Sequence, residues 1–284
     1  NSYGGLEHDF SAVLQYSWSS LLEPSGYRKL LQLIGHEYLH QWNVRRLRPD
    51  SYIKYDYSKA IVSKELWFAE GVTSYFDLAI PYIAGLTSIS MLLEDLSAEI
   101  ANLLTTPGRK VQNISDSSLE AWVKLYKSTP QSRNSQVSYY ILGSLIAFCL
   151  DVNLRVSGSS LSSILRQMYE EYSFSQKGYC SSDVIECVSY VNPDLAKELV
   201  IWLDTNDSLP ISSTVKKIGL RLESECSSTR YTGFTCDVKN GAIYVNSVAA
   251  ASPAESAGLI VGDELLAIDG YRIRSTLDER LFFS

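Results

Sequence analysis

The stretch "LIGHEYLHQWNVRRLRP", residues 33–49, decides how the chain is read. It carries two of the three histidines, His36 and His40, four positions apart, with Glu37 between them. On a helix, positions i and i+4 share a face, so both imidazoles can reach one metal ion while Glu37 projects from the neighbouring flank toward a water. The competing reading is a surface helix that happens to carry two polar rings. It fits poorly, because Leu30, Leu31, Ile34, Tyr38 and Trp42 recur around the motif at helical spacing. The spacing predicts a helix over "EPSGYRKLLQLIGHEYLHQW", with Ser25 as its N-cap.

A catalytic zinc takes three protein ligands and keeps one position open. No histidine follows His40, and His8 is the only other one, so the third ligand is expected to be a carboxylate. A second helix is expected over residues 63–80, capped by Ser63 and with Pro81 near its end; within it "ELWFAEGVTSYF" offers Glu65 and Glu70. Glu70 lies deeper. Thr73, Ser74 and Asp77 continue its polar stripe among Leu66, Trp67, Phe68 and Phe76, and an acid in such surroundings needs a partner. Glu65, in the first turn, reads as an acid favoured by the helix dipole. Glu70 is the expected ligand.

The whole-chain quantities narrow the function classes. The 284 residues are 45% apolar and 20% charged, as in globular proteins. A net charge of −7 gives no electrostatic case for nucleic acid. No run of about 18 apolar residues occurs, so no membrane span is expected. The five cysteines (149, 180, 187, 226, 236) form no C-x-x-C pair, and an odd count favours free thiols. That favours the cytoplasm over a periplasmic or secreted location, with a Cys180–Cys187 pair left open. The opening "NSYGGLEHDF" is neither an initiator methionine nor a signal peptide, so a fragment of a longer chain is expected.

Residues 1–18 read as strand and turn, and residues 87–204 as successive helices. "TNDSLPISSTVKK" reads as a linker, followed by β-type alternation in "IGLRLE", "GAIYVNSV" and "ELLAIDG". The expected fold class is α+β: a mostly helical domain over residues 1–208 and a small β-rich domain over 209–284.

"GHEYLHQWNVRRLRP" followed by "LWFAEGVTSYF" resembles the glycyl aminopeptidase family of zinc metallopeptidases. The resemblance extends to "YGGLEH", "SLEAWVKLY", "VSYYILGSLIAFCLDVNLR" and a PDZ-like tail. It implies a thermolysin-like catalytic domain, preceded in the family by a β-rich domain that this chain does not contain. On the matching positions it implies one zinc ion per chain on His36, His40 and Glu70, with Glu37 as the proton acceptor. "YGGLEH" is similar to the strand that related aminopeptidases lay beside the substrate, which implies that Glu7 binds the free α-ammonium. "SYYILG" is similar to a Tyr-x-Lys-Gly segment whose tyrosine stabilises an oxyanion. Tyr140 is the match and Tyr139 the rival, with Leu142 where the family has lysine. Trp42 and Asn43 are assigned to packing and hydrogen bonding, and "RRLRP" to a solvated helix end.

The tail "YTGFTC…GAIYVNSVAAASPAESAGLIVGDELLAIDGYRI" resembles a PDZ domain that stops before its last strand. Gly233 and Phe234 would then face a peptide's terminal carboxylate, beside a strand edge open to an extended peptide. The expected function is removal of a small N-terminal residue, such as Gly or Ala, from peptides. A PDZ-guided endopeptidase and a non-catalytic PDZ adaptor are the alternatives.

Overall fold

The computed structural model describes residues 3–54, 56–173, 176–224 and 231–273. The chain opens on an antiparallel hairpin, β1 (Gly4–Glu7) with β2 (Ala12–Gln15), which lies on helix α1 (Pro24–Leu39). The N-cap of α1 is Glu23, not the expected Ser25, because Pro24 already fixes a helical φ at the first position. A turn at the end of α1 runs into the Tyr-rich connection, where Arg45 and Arg46 find work that a solvated helix end would not give them. Arg45 Nε donates to Asp9 Oδ1 at 2.9 Å, and Arg46 Nη2 donates to the Asp9 carbonyl at 3.1 Å. These bonds clamp the hairpin turn to the end of α1.

The second expected helix begins later than residue 63. It opens as one π-helical turn, Trp67–Gly71, and continues as α2 (Val72–Ile83). Helices α3 (Ile89–Leu104), α4 (Ile114–Leu119), α5 (Ser132–Ser135), α6 (Tyr139–Val156), α7 (Leu161–Tyr172), α8 (Ser181–Val191) and α9 (Pro193–Asp204) follow. Buried residues cover every side of α6 from Gly143 to Val152, so it is the central helix of the core. Its 18 residues have the length and mean hydropathy, 1.4, to cross a bilayer, but 67% of that window is buried inside the fold.

Two glycines set how closely α6 meets its main neighbour. A Cβ on Gly71 would sit 2.5 Å from the Gly143 Cα, and one on Gly143 would sit 2.8 Å from the Gly71 Cα. The π-helical turn therefore rests directly on α6, backbone to backbone.

Between α3 and α6, Ser144 Oγ donates to Glu99 Oε2 at 2.7 Å. Burial pushes the Glu99 carboxyl up to about 8, and the nearby Asp77 and Asp95 add to the rise. A carboxyl raised in the folded state keeps its proton while the unfolded chain loses its own, so stability falls as pH climbs from about 4.5 to about 8. Glu99→Gln is expected to remove that slope and to be more stable than the parent at pH 8 by on the order of 1–3 kcal/mol, with little difference at pH 5. Urea midpoints at the two pH values measure this. Parallel losses in both proteins would mean that Glu99 is ionised in the fold throughout.

Helical packing runs past residue 208. Helix α10 (Ile211–Lys217) places Ile211 and Val215 in the same core as α6, and Leu220 and Leu222 lean on it. The expected linker is thus largely a helix, and "IGLRLE" forms no strand, because its leucines are spent on the helical core. Beyond it lies a small β unit. Strands β3 (Phe234–Lys239) and β4 (Ala242–Val248) pair antiparallel around Asn240-Gly241, both at positive φ, as a tight hairpin requires. A short helix α11 (Pro253–Ser256) and the strands β5 (Ala267–Ile268) and β6 (Tyr271–Arg272) complete it, with Val245, Val248 and Ala254 as its core. Asn134 of α5 joins the two parts. Its Nδ2 donates to the Val248 carbonyl at 2.7 Å, and its Oδ1 accepts from Ala250 N at 2.9 Å. Cys226 and the closing "LDERLFFS" lie outside the described residues, and Cys180 and Cys187 are free thiols that do not pair with each other.

Candidate active site

Helix α1 carries His36 and His40 on one face, and the π-helical turn brings Glu70 to meet them. Glu70 Oε2 lies 3.2 Å from His36 Nε2 and 3.4 Å from His40 Nε2. One ligand atom from each residue falls within 4.8 Å of the others. Each ring's other nitrogen is already held: His36 Nδ1 stands 2.9 Å from Asp77 Oδ2, and His40 Nδ1 stands 2.7 Å from the Asn43 carbonyl. With both Nδ1–H groups donating, the two Nε2 atoms are left to face Glu70.

Asn43 does more than pack. While its carbonyl holds His40, its Nδ2 donates to the Phe68 carbonyl at 3.0 Å and to the Ala69 carbonyl at 3.3 Å. One buried residue thereby ties the end of α1 to the turn that carries Glu70. Glu65, the other candidate acid, is buried elsewhere and accepts from Ser63 Oγ at 2.8 Å. It takes no part in the cluster.

The charges in the cluster hold one another. Burial opposes a cation on His36, but hydrogen bonds to Asp77 and Glu70 outweigh it and push the imidazole up to about 10. Burial would raise Glu70, yet the two histidines hold its carboxyl well below the usual range. Burial lifts Asp77 to about 6 against the pull of His36. The two imidazoles and the Glu70 carboxylate thus face one another with opposite preferences for charge. Two imidazole nitrogens, each ring braced through its Nδ1, and one carboxylate oxygen are a donor set that fits zinc.

Glu37 sits beside this cluster, buried, and its Oε2 has no hydrogen-bond partner. Burial raises its carboxyl above the ordinary value. Strand β1 passes over it so closely that a Cβ on Gly5 would lie 2.2 Å from Glu37 Cδ. Two residues along the same face of the strand, Glu7 brings a carboxylate oxygen within 4.8 Å of ligand atoms of Glu37 and His40. His8 serves the hairpin turn: its N–H donates to the Ser11 carbonyl at 2.7 Å.

The two rival tyrosines separate. The Tyr140 ring lies 6.3 Å from the His36 ring, whereas Tyr139 is buried in the core and stacks on Tyr140 at 4.6 Å. Burial drives the Tyr140 hydroxyl far above its ordinary pKa, so it keeps its proton. In the β unit, Gly233 has φ +84°, and a Cβ there would strike Ser252 Cβ at 2.2 Å. Phe234 packs on the small core, and among the described residues β3 pairs with β4.

Asp77 as the partner of His36 and the π-helical turn under Glu70 escaped sequence reasoning. The first had a signal, an acid seven positions beyond Glu70 on the same polar stripe. The second had none, because π-helical and α-helical turns draw on the same residue types.

Residues 29–146 match the sequence model of the M61 glycyl aminopeptidase family, and residues 244–280 match that of a PDZ domain. The chain resembles the glycyl aminopeptidases. The matched span holds His36, Glu37, His40, Glu70 and Tyr140, while Glu7 lies outside it. A crystal structure of an aminopeptidase N family protein from Idiomarina loihiensis is similar over 99% of this chain, with 28% identity and a TM-score of 0.91. The chain spans about half of that protein, 52% of its length. An M1 zinc metallopeptidase mutant from Deinococcus radiodurans, solved with a Tyr-Ser-Ala substrate, aligns over 65% of this chain and 34% of its own, at 13% identity and a TM-score of 0.44. No curated protein matches the chain. The fold around the cluster is similar to that of the aminopeptidase N family protein.

Proposed function

We propose that the chain is a zinc aminopeptidase that removes one small residue, such as Gly or Ala, from the amino terminus of peptides. The observation that carries the aminopeptidase reading is the position of Glu7, at the end of a strand laid over Glu37. A carboxylate there can hold a substrate's α-ammonium one residue away from the bond that Glu37 serves. The preference for a small residue rests on the family match alone.

His36, His40 and Glu70 would hold one zinc ion, which when bound acidifies water and polarises the scissile carbonyl. Glu37 accepts a proton from the attacking water as its oxygen bonds to the carbonyl carbon. Its raised affinity for protons, a result of burial, suits it to that step. The Tyr140 hydroxyl donates to the oxygen that gains negative charge. As the C–N bond breaks, Glu37 returns the proton to the leaving nitrogen. Asp77 and Asn43 keep the two imidazoles turned to the cluster throughout.

One fluorogenic peptide beginning with glycine, compared with a free and with an acetylated amino terminus, tests the reading on zinc-loaded protein. Turnover of the free form alone is expected, with at least a hundredfold loss on acetylation, since the acetyl group removes the charge that Glu7 binds. Equal turnover would support a PDZ-guided endopeptidase instead, a reading favoured by the match of residues 244–280 to a PDZ domain.

A further inference from the structure

A third tyrosine stands behind Tyr140. The Tyr126 hydroxyl lies 3.2 Å from that of Tyr140 and 3.1 Å from that of Tyr139. Its ring leans on Trp122 at 5.3 Å, and the Trp122 indole N–H donates to the Ile61 carbonyl at 2.8 Å, which fixes the pair to the connection before α2. Tyr126 and the two stacked tyrosines thus come from separate parts of the chain and meet at their oxygens.

Each phenol has a single proton to give. When Tyr140 directs its proton to the substrate oxygen, its own oxygen becomes an acceptor, and Tyr126 is the neighbour placed to fill it. Tyr126 then needs a donor in turn, and the Tyr139 hydroxyl is within reach. All three protons point one way, from Tyr139 through Tyr126 and Tyr140 to the substrate, and each donation polarises the next O–H bond. We propose that Tyr126 is a positioning residue, which turns the Tyr140 proton toward the substrate oxygen and strengthens it as a donor when charge develops there. This rests on the reading of Tyr140 given above.

The test is a cycle of phenylalanine variants, which keep every ring and remove only oxygens. Tyr126 borders solvent, so its contribution is that of one modest hydrogen bond. Tyr126→Phe is expected to lower kcat roughly three- to tenfold with KM unchanged. It should weaken binding of a phosphinic peptide analogue, a stable mimic of the tetrahedral state, by the same factor in calorimetry. Tyr140→Phe is expected to cost about a hundredfold in kcat, as loss of an oxyanion donor does. The decisive comparison is the double variant, which should be no slower than Tyr140→Phe alone. A Tyr126→Phe enzyme with the parent kcat overturns the proposal, and so does an equal loss in both backgrounds. If Tyr140→Phe itself keeps full turnover, Tyr140 is not the oxyanion donor, and the proposal falls together with that reading.

Discussion

Glu37→Gln is expected to lower kcat by roughly a thousandfold while zinc stays at one equivalent, because the amide cannot take a proton from water. On the proposed reading His36, His40 and Glu70 hold the zinc and Glu37 does not, so metal content should not change. Stability should hold or rise. Glu37 is buried with an orphaned Oε2, and burial already disfavours its charge, so a neutral side chain of the same shape relieves a desolvation cost. Measuring kcat, bound zinc and melting temperature on one preparation separates these effects. A variant that keeps its metal and more than about a tenth of its turnover would remove Glu37 from the chemistry.

Gly71→Ala is expected to fail at two levels, against the ordinary preference of helices for alanine. Helix propensity alone predicts a gain of about 1 kcal/mol. The new Cβ would stand 2.5 Å from the Gly143 Cα and 3.0 Å from the Tyr139 carbonyl, and both are backbone of the central helix, which cannot step aside. A net loss of about 2–4 kcal/mol is expected, visible as a lower urea midpoint. Because Gly71 follows Glu70 directly, any shift that relieves the clash also moves the proposed metal ligand, so zinc affinity should fall as well. A more stable variant would mean that the two backbones do not meet as described.

These two residues mark what could be read from the chain. The pairing of His36, Glu37 and His40 was legible because helical periodicity converts a spacing of four into a shared face, whatever the tertiary context. Glu70 was legible because an acid among Trp67, Phe68 and Phe76 has to be accounted for. Ser25 misled as a cap, since the proline before it decided the start of α1. The stretch after residue 208 misled as a linker: only the packed structure shows that Ile211 and Val215 have a core to enter. The contact of Gly71 with Gly143 was beyond reach, because nothing local records that two segments seventy residues apart will touch. Tyr140 and Tyr139 could not be separated from one another until their burial was known.

The lie of β1 has a mechanical meaning. A strand advances about 3.3 Å per residue, and on this one the glycine that shields the base and the acid that would grip the substrate's amino terminus are two residues apart on the same face. The strand is then a ruler with its zero at Glu37, and Asp9, gripped by Arg45 and Arg46, is the screw that keeps it from sliding. On the proposed reading, how much of a peptide is cut off at each turnover becomes a matter of where the mark stands on the ruler, independent of the zinc.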